Sequence, residues 1–228
     1  MNGMQKFYVV GTPIGNLEDI TYRAVRVLGE VDLILCEDTR VTINLLNKYG
    51  IKKPTMSYHS QSKLAKLDKI IEMIEEGKTL ALVSDAGTPT ISDPGSVLVS
   101  KIRETFSEVE VIAIPGASAL VSALSISGLP ASEFLFLGFL PHKKGRETLF
   151  KEIAASERTV VFYESPHRIE KSIESLKKSV GERKIVIARE LSKIYEQIVS
   201  GTATEVQDYF AENTDKVRGE FVVLVSAK

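Results

Sequence analysis

The chain has 228 residues, 43% of them hydrophobic and 26% charged, enough for a buried core and unlike a disordered or fibrous protein. Lys plus Arg number 29 and Asp plus Glu 30, for a net charge of −1, which excludes a basic arm or acidic tail and predicts no strong non-specific hold on nucleic acid. Mean hydropathy is near zero, no apolar run reaches the ~18 residues of a membrane span, and the single cysteine, Cys36, excludes an intramolecular disulfide.

The N-terminus shows no secretory signal pattern, so a cytoplasmic location is expected. Lys6–Gly11 is a short apolar run with the length and β-branching of a buried strand. A helix over 19–28 follows, then a strand over 32–36, a helix over 39–49 closed by Gly50, and a brief strand over 55–58. Residues 64–76 form the clearest amphipathic helix, with Leu67, Ile70, Ile71 and Ile74 on one face. A strand over 79–84 leads through a Gly/Pro-rich loop to a helix over 96–106, a strand over 109–114 and a helix over 117–127. Strands that alternate with helices imply a mostly parallel sheet covered on both faces. The run GLPAS, 128–132, reads as a hinge, after which the alternation resumes: strands over 134–140, 159–164, 184–189 and 221–226, and helices over 146–155, 169–180 and 204–212. The fold class is α/β in two α/β domains, 1–118 and 119–228.

Ligands of open α/β sheets sit at the carboxyl ends of strands, so the residues after each strand carry the functional argument. GTPIGN, 11–16, fits neither phosphate-loop nor dinucleotide-loop spacing, and reads as a tight turn or as backbone kept bare for a ligand. SDAGTPTISDPG, 84–95, combines stiff prolines (Pro89, Pro94), permissive glycines (Gly87, Gly95) and two carboxylates, Asp85 and Asp93. Rigid loops of this length are usually functional, and Mg²⁺ on the carboxylates is the less favoured use, so no metal is expected. PGASA, 115–119, opens a helix with small residues, suited either to close packing or to an anion. CEDTR, 36–40, reads as a carboxylate–guanidinium pair or a helix cap, and YESPHR, 163–168, sets Glu164, His167 and Arg168 where strand meets helix. His59 and His167 are possible proton carriers or ordinary structural histidines. RELSKIYEQ, 189–197, reads as a charged loop.

Taken in order, GTPIGNL, CEDTR, YHS, SDAGTPTISDPG, PGASA, FLP, YESPHR, RELSK and GEFVVLV resemble the small-subunit ribosomal RNA cytidine-2′-O-methyltransferases of the tetrapyrrole methylase superfamily. The resemblance implies two α/β domains, S-adenosylmethionine in a cleft between them, and a homodimer. It implies that Thr12, Pro13, Asp85, Gly87, Thr88, Ile91, Ala117, Ser118 and Ala119 bind the cofactor from the first domain. From the second domain it implies Phe162, Tyr163, Leu191, Gly219 and Glu220. His142 and Ser192 depart from the pattern, where Arg and Thr are usual. Many relatives carry a further C-terminal segment, and an RNA hold without one is expected to come from the core dimer.

Methyl transfer to a ribose hydroxyl calls for alignment, exclusion of water and help in removing a proton. The expected polar ring is Asp38, Arg40, His59, Glu164, His167 and Arg168, with Arg40 and Arg168 clamping phosphates. Lys143, Lys144 and Arg146 form the densest cationic run and are the expected second RNA contact, or else a solvated helix start. Partners are the ribosomal RNA or assembled small subunit, with no membrane. Rival readings are a tetrapyrrole methyltransferase, a Mg²⁺ phosphohydrolase built on Glu37, Asp38, Asp85 and Asp93, and a cofactor-sensing module. Phe134–Leu140, FLFLGFL, is a candidate dimer surface.

Overall fold

The computed structural model describes residues 5–59, 64–93 and 95–228; Ser60 of the YHS run and Pro94 lie outside them. The chain forms two compact units, Met1–Ser118 and Ala119–Lys228. Among the described residues no helix is long and apolar enough to cross a membrane.

The first unit holds strands β1 (Lys6–Val10), β2 (Leu33–Cys36), β3 (Thr55–Ser57), β4 (Leu80–Leu82) and β5 (Glu110–Ile114), with helices α1 (Tyr22–Glu30), α2 (Thr39–Lys48), α3 (Leu64–Glu75) and α4 (Ser96–Thr105). Its sheet runs β3-β2-β4-β1-β5 and every pairing is parallel, as the strand–helix alternation implies. Two apolar clusters cover the two faces. Ala24, Val27 and Leu28 of α1 and Leu46 of α2 pack with Val10, Ile34 and Ala81 on one face. Ile70 and Ile74 of α3 and Leu98 and Ile102 of α4 pack with Phe7, Leu35 and Leu82 on the other. Helix α1 begins later than the apolar spacing suggests. Asn16 caps a short 3-10 turn over Leu17–Asp19, and Thr21 then takes the N-cap, accepting from the Ala24 N–H.

The topology locates a crevice. β1 and β4 are neighbours, but β1 feeds α1 on one face while β4 feeds α4 on the other. Ligands of open α/β sheets bind at the strands' carboxyl ends beside such a change of direction.

The second unit holds α5 (Ala119–Ser127), β6 (Phe134–Phe139), α6 (Arg146–Ala155), β7 (Thr159–Glu164), α7 (Ile169–Val180), β8 (Ile185–Arg189), β9 (Gln197–Gly201), α8 (Ala203–Glu212) and β10 (Phe221–Val225). Its sheet runs β6-β7-β10-β8-β9. Only β6 and β7 pair in parallel, while β10 runs antiparallel to both its neighbours. Strand β10 is central, and all five of its residues are buried. Phe221, Val223 and Val225 meet α6, α7 and α8 through Phe150, Ile173 and Phe210. Helix α5 packs on β10 and β8, so the Gly128–Ser132 segment expected to be a hinge lies inside this unit. Strand β9 has no counterpart among the predicted elements, and only its first residue, Gln197, belongs to the run read as a charged loop. It is an edge strand with only Val199 buried, so its apolar signal is too thin to read.

Gly11 and Gly116 fix how closely the β1 and β5 ends approach. A Cβ on Gly116 would lie 2.6 Å from the Gly11 carbonyl oxygen, a backbone atom that cannot yield cheaply. Gly116→Ala should therefore lower unfolding free energy by about 1–3 kcal/mol in denaturant titration; an unchanged midpoint would show that these loops are free to part.

Candidate active site

Three loops meet at the carboxyl edge of the first sheet. The Gly11 N–H donates to the Ile114 carbonyl at 3.0 Å, joining the ends of β1 and β5. Thr12 and Gly87 exchange two backbone hydrogen bonds, 2.9 and 3.1 Å, joining the loops after β1 and β4. The buried Thr12 hydroxyl reaches the carbonyls of Ser84 and Gly87 at 3.3 Å. Thr88 Oγ1 donates to the Ala117 carbonyl at 3.3 Å, adding the segment after β5 to the cluster. Thr12 and Pro13 are buried struts under this surface, whereas Asp85 and Ile91 are exposed on it and Thr88, Ala117, Ser118 and Ala119 are half-buried. Gly87 has φ +78, and a Cβ there would meet Ile14 Cγ2 at 3.5 Å and the Ala117 oxygen at 3.7 Å, so a side chain would fill the space beside the loops. Thr90 (φ 75) and Ser92 (φ 68) hold left-handed conformations uncommon for such residues. Non-glycine strain of this kind concentrates at functional loops.

The edge is acidic. Asp85 accepts from the Asp38 N–H at 2.8 Å, tying the β2 loop to the β4 loop. Asp38 caps α2 through the Arg40 N–H at 2.8 Å and pairs with the Arg40 guanidinium at 2.6 Å. The two readings of CEDTR, ion pair and helix cap, are thus one arrangement. The Arg40 side chain remains 87% exposed, whereas its hydrogen bonds hold the Asp38 carboxyl down to about 2. A carboxylate so acidic is a poor proton acceptor. Two carboxylates with the opposite tendency were not among the expected catalytic residues. Burial, then the charges of Glu37 and Asp85, pushes Asp93 up to about 6. Burial and Asp85 also raise Glu37, while His59 lowers it. The signal for both lay in the carboxylate count of the two loops. Their proximity did not show in the chain order. Among the described residues no group of three or more His, Cys, Asp or Glu is arranged to hold a metal ion.

In the second unit the structure corrects four expectations. Glu164 is fully buried and held by Arg168 at 2.7 Å and Arg146 at 3.3 Å, with the Ser172 hydroxyl at 2.6 Å. Arg168 also donates to the Leu140 carbonyl at 2.7 Å, and Arg146 to Ser172 at 2.7 Å while lying over the Phe150 ring. Glu164 is therefore no general base, and Arg146 and Arg168 are internal struts rather than phosphate contacts. Phe162 lies wholly in the core among α6–α8 and does not reach a ligand. Lys143, Lys144 and His167 are exposed, as an outer contact requires. Tyr163 is half-buried at Phe136, 5.0 Å between ring centroids, and Leu191 is 8% exposed. Gly219 (φ +86) has no room for a side chain, since a Cβ would strike the Glu190 carboxylate. The exposed Glu220 pairs with Lys193 at 2.8 Å.

Residues 6–207 match the family model of Tetrapyrrole (Corrin/Porphyrin) Methylases. The chain belongs to the tetrapyrrole methylase family. It is 45% identical over 225 residues to the ribosomal RNA small subunit methyltransferase I of Thermotoga maritima, covering 99% of this chain and 100% of that one. It is 46% identical over 220 residues to the protein of that name from Halalkalibacterium halodurans, covering 96% and 74%. Solved structures share the fold. A cobalt precorrin-4 methyltransferase of cobalamin biosynthesis superposes with TM-score 0.69 at 16% identity, covering 99% of this chain and 96% of that one. A uroporphyrin III C-methyl transferase from Thermus thermophilus gives 0.65 at 20% identity, covering 97% of each. This tetrapyrrole methylase uses S-adenosylmethionine, and the Gly87 space with its bare backbone fits such a cofactor.

Two outcomes are expected. Glu164→Ala leaves two guanidinium groups without their buried partner and should cost about 3–5 kcal/mol by denaturant titration, while an exposed-pair change such as Glu30→Ala should cost under about 1. Asp93 binds its proton more tightly folded than unfolded. Its stabilising contribution is complete below the ordinary value of 3.8 and disappears as pH rises through about 6. Asp93→Asn should raise stability at pH 8 by roughly 1 kcal/mol after solvent screening and flatten the stability profile between those values. A profile identical to the parent's would refute the raised carboxyl.

Proposed function

We propose that this protein transfers a methyl group from S-adenosylmethionine to the 2′-oxygen of a cytidine ribose in small-subunit ribosomal RNA. The observation that carries this reading is full-length identity to enzymes named for that RNA. The three-loop edge of the first unit supports it by offering a place for the cofactor. When bound, the cofactor supplies an electrophilic methyl group on a positively charged sulfur. Gly87, Thr88, Ala117, Ser118 and Ala119 hold it with backbone and small side chains, and Thr12 and Pro13 brace that surface from beneath. The acidic residues Glu37, Asp85 and Asp93 favour a positively charged ligand there.

The O–CH₃ bond forms as the S–CH₃ bond breaks, the bonding pair leaves with sulfur, and the hydroxyl proton goes to a base. Glu37 and Asp93, with His59 beside them, are better suited to accept it than Asp38, because a base works best with a pKa near the working pH. Arg40, exposed and steered by Asp38, holds an RNA phosphate with its planar fork. Lys143, Lys144 and His167 form an outer RNA contact from the second unit. The protein acts in the cytoplasm as a homodimer.

The test is transfer of radiolabelled methyl groups to purified small ribosomal subunits, naked ribosomal RNA and a porphyrinoid, with and without chelator. Chelator-insensitive label in RNA, protecting one ribose against alkaline cleavage, is expected. Label in the porphyrinoid alone would move the substrate to the small-molecule branch of the family. Arg40→Ala should lower RNA methylation about tenfold or more and leave cofactor affinity unchanged; equal RNA turnover would remove Arg40 from the RNA contact.

A further inference from the structure

The second unit contains a cavity of about 660 Å³ at the end of β8 and β9 joined by the 190–196 loop, lined by Arg189, Lys216 and Arg218, by the carboxylates Glu190, Glu196 and Asp215, and by Ile194, Tyr195 and Gln197. That volume suits a nucleotide-sized ligand. Its charges are unevenly engaged. Glu190 receives the Lys193 ammonium and the Glu220 N–H, both at 2.9 Å. Glu196 receives the Ser192 N–H at 2.5 Å, and Asp215 is exposed to solvent. The cations, by contrast, donate only to neutral oxygens. Arg189, 8% exposed, reaches the carbonyls of Arg218 at 2.8 Å and Tyr195 at 3.2 Å. Glu190 feels the Arg189 charge but has Lys193 as its ion-pair partner. Lys216 reaches the Tyr209 hydroxyl at 2.7 Å and Asn213 Oδ1 at 2.8 Å. Arg218 is exposed, and its guanidinium has no partner among the described residues. Arg189 thus has the neighbouring Glu190 charge but no direct ion pair among the described residues. In the same wall Gln197 Oε1 is buried without a hydrogen-bond partner, a rare condition in a finished core.

The rim adds an apolar face. Ile194 is 90% and Tyr195 69% exposed. They stand on a stiff loop in which Glu190 (φ 51) and Ser192 (φ 65) are left-handed. Guanidinium and ammonium groups without a direct ion pair among the described residues, beside an exposed aromatic ring, match the two parts of a nucleotide, an anionic phosphate and a stackable base.

Resting on the ribosomal RNA reading above, we propose that this cavity receives one unstacked nucleotide of the substrate RNA, with Arg189, Lys216 and Arg218 around its phosphate and Tyr195 against its base. The test uses surface variants of the full chain, methylation of purified small subunits across about 50 to 200 mM salt, and calorimetric binding of S-adenosylmethionine. Arg218→Gln should raise KM for subunits about fivefold and lower the slope of log KM against log salt by about 1, and Arg218→Lys should restore most of that slope. Tyr195→Ala should raise KM about tenfold and leave the salt slope unchanged. Cofactor affinity should stay at the parent value in all three. Parent-like KM and salt slope in active variants would overturn the nucleotide site alone. Loss of cofactor binding would overturn it by making the cavity a cofactor pocket. Absence of RNA labelling by the parent protein would remove the ribosomal RNA reading itself.

Discussion

The contact between Gly11 and Gly116 governs the first unit's ligand edge. Backbone meets backbone there, with no side chain between, because a Cβ on either residue would come within 2.8 Å of the other's main chain. That approach lets the Gly11 N–H reach Ile114 and sets Thr12 opposite Gly87. The loops after β1, β4 and β5 thereby act as one surface. The left-handed Gly87, Thr90 and Ser92 in the β4 loop are held in place by this brace.

Charge is distributed by a different logic in each unit. In the first, burial and then neighbouring carboxylates raise the proton affinity of Glu37 and Asp93 at the sheet edge, while Arg40 pairs with Asp38. In the second, the strongest charge cluster points inward. Glu164 takes two guanidinium groups and a serine hydroxyl, a geometry that compensates a fully buried carboxylate. That network ties the ends of β6 and β7 to α6 and α7. Arg189, Lys216 and Arg218 share another wall of the same unit with Glu190, Glu196 and Asp215, and make no direct ion pair with them among the described residues. The residue types are alike in both places, but burial and partner count separate a structural cluster from one able to take a ligand.

The shared fold with enzymes named for porphyrinoid substrates shows how little the scaffold alone says about the acceptor. One fold thus accompanies names that point to different acceptors, so the acceptor is to be argued from the residues of the site and not from the scaffold. In this chain the proposed nucleotide site is charged and carries exposed Tyr195 and Arg218, a chemistry suited to phosphate and base.

Most elements were legible in the chain itself. Val, Ile and Leu runs of strand length, glycine stops and the 3.6-residue spacing of α3 and α7 mark local structure, and local signals do not depend on what lies across the fold. The conserved order of loops was also enough to point to the family, because GTPIGN and SDAGTPTISDPG are dictated by local backbone conformation. Strand β9 escaped because an edge strand with one buried residue has little periodicity to show. The strand directions of the second sheet escaped because alternation does not fix orientation. Tertiary structure alone decided the roles of Glu164, Arg146, Arg168 and Phe162. Whether an arginine is a ligand contact or a strut depends on what surrounds its guanidinium, and several of those neighbours lie 18 to 28 positions away. The sequence determines which groups are available, and the fold determines which of them are already neutralised.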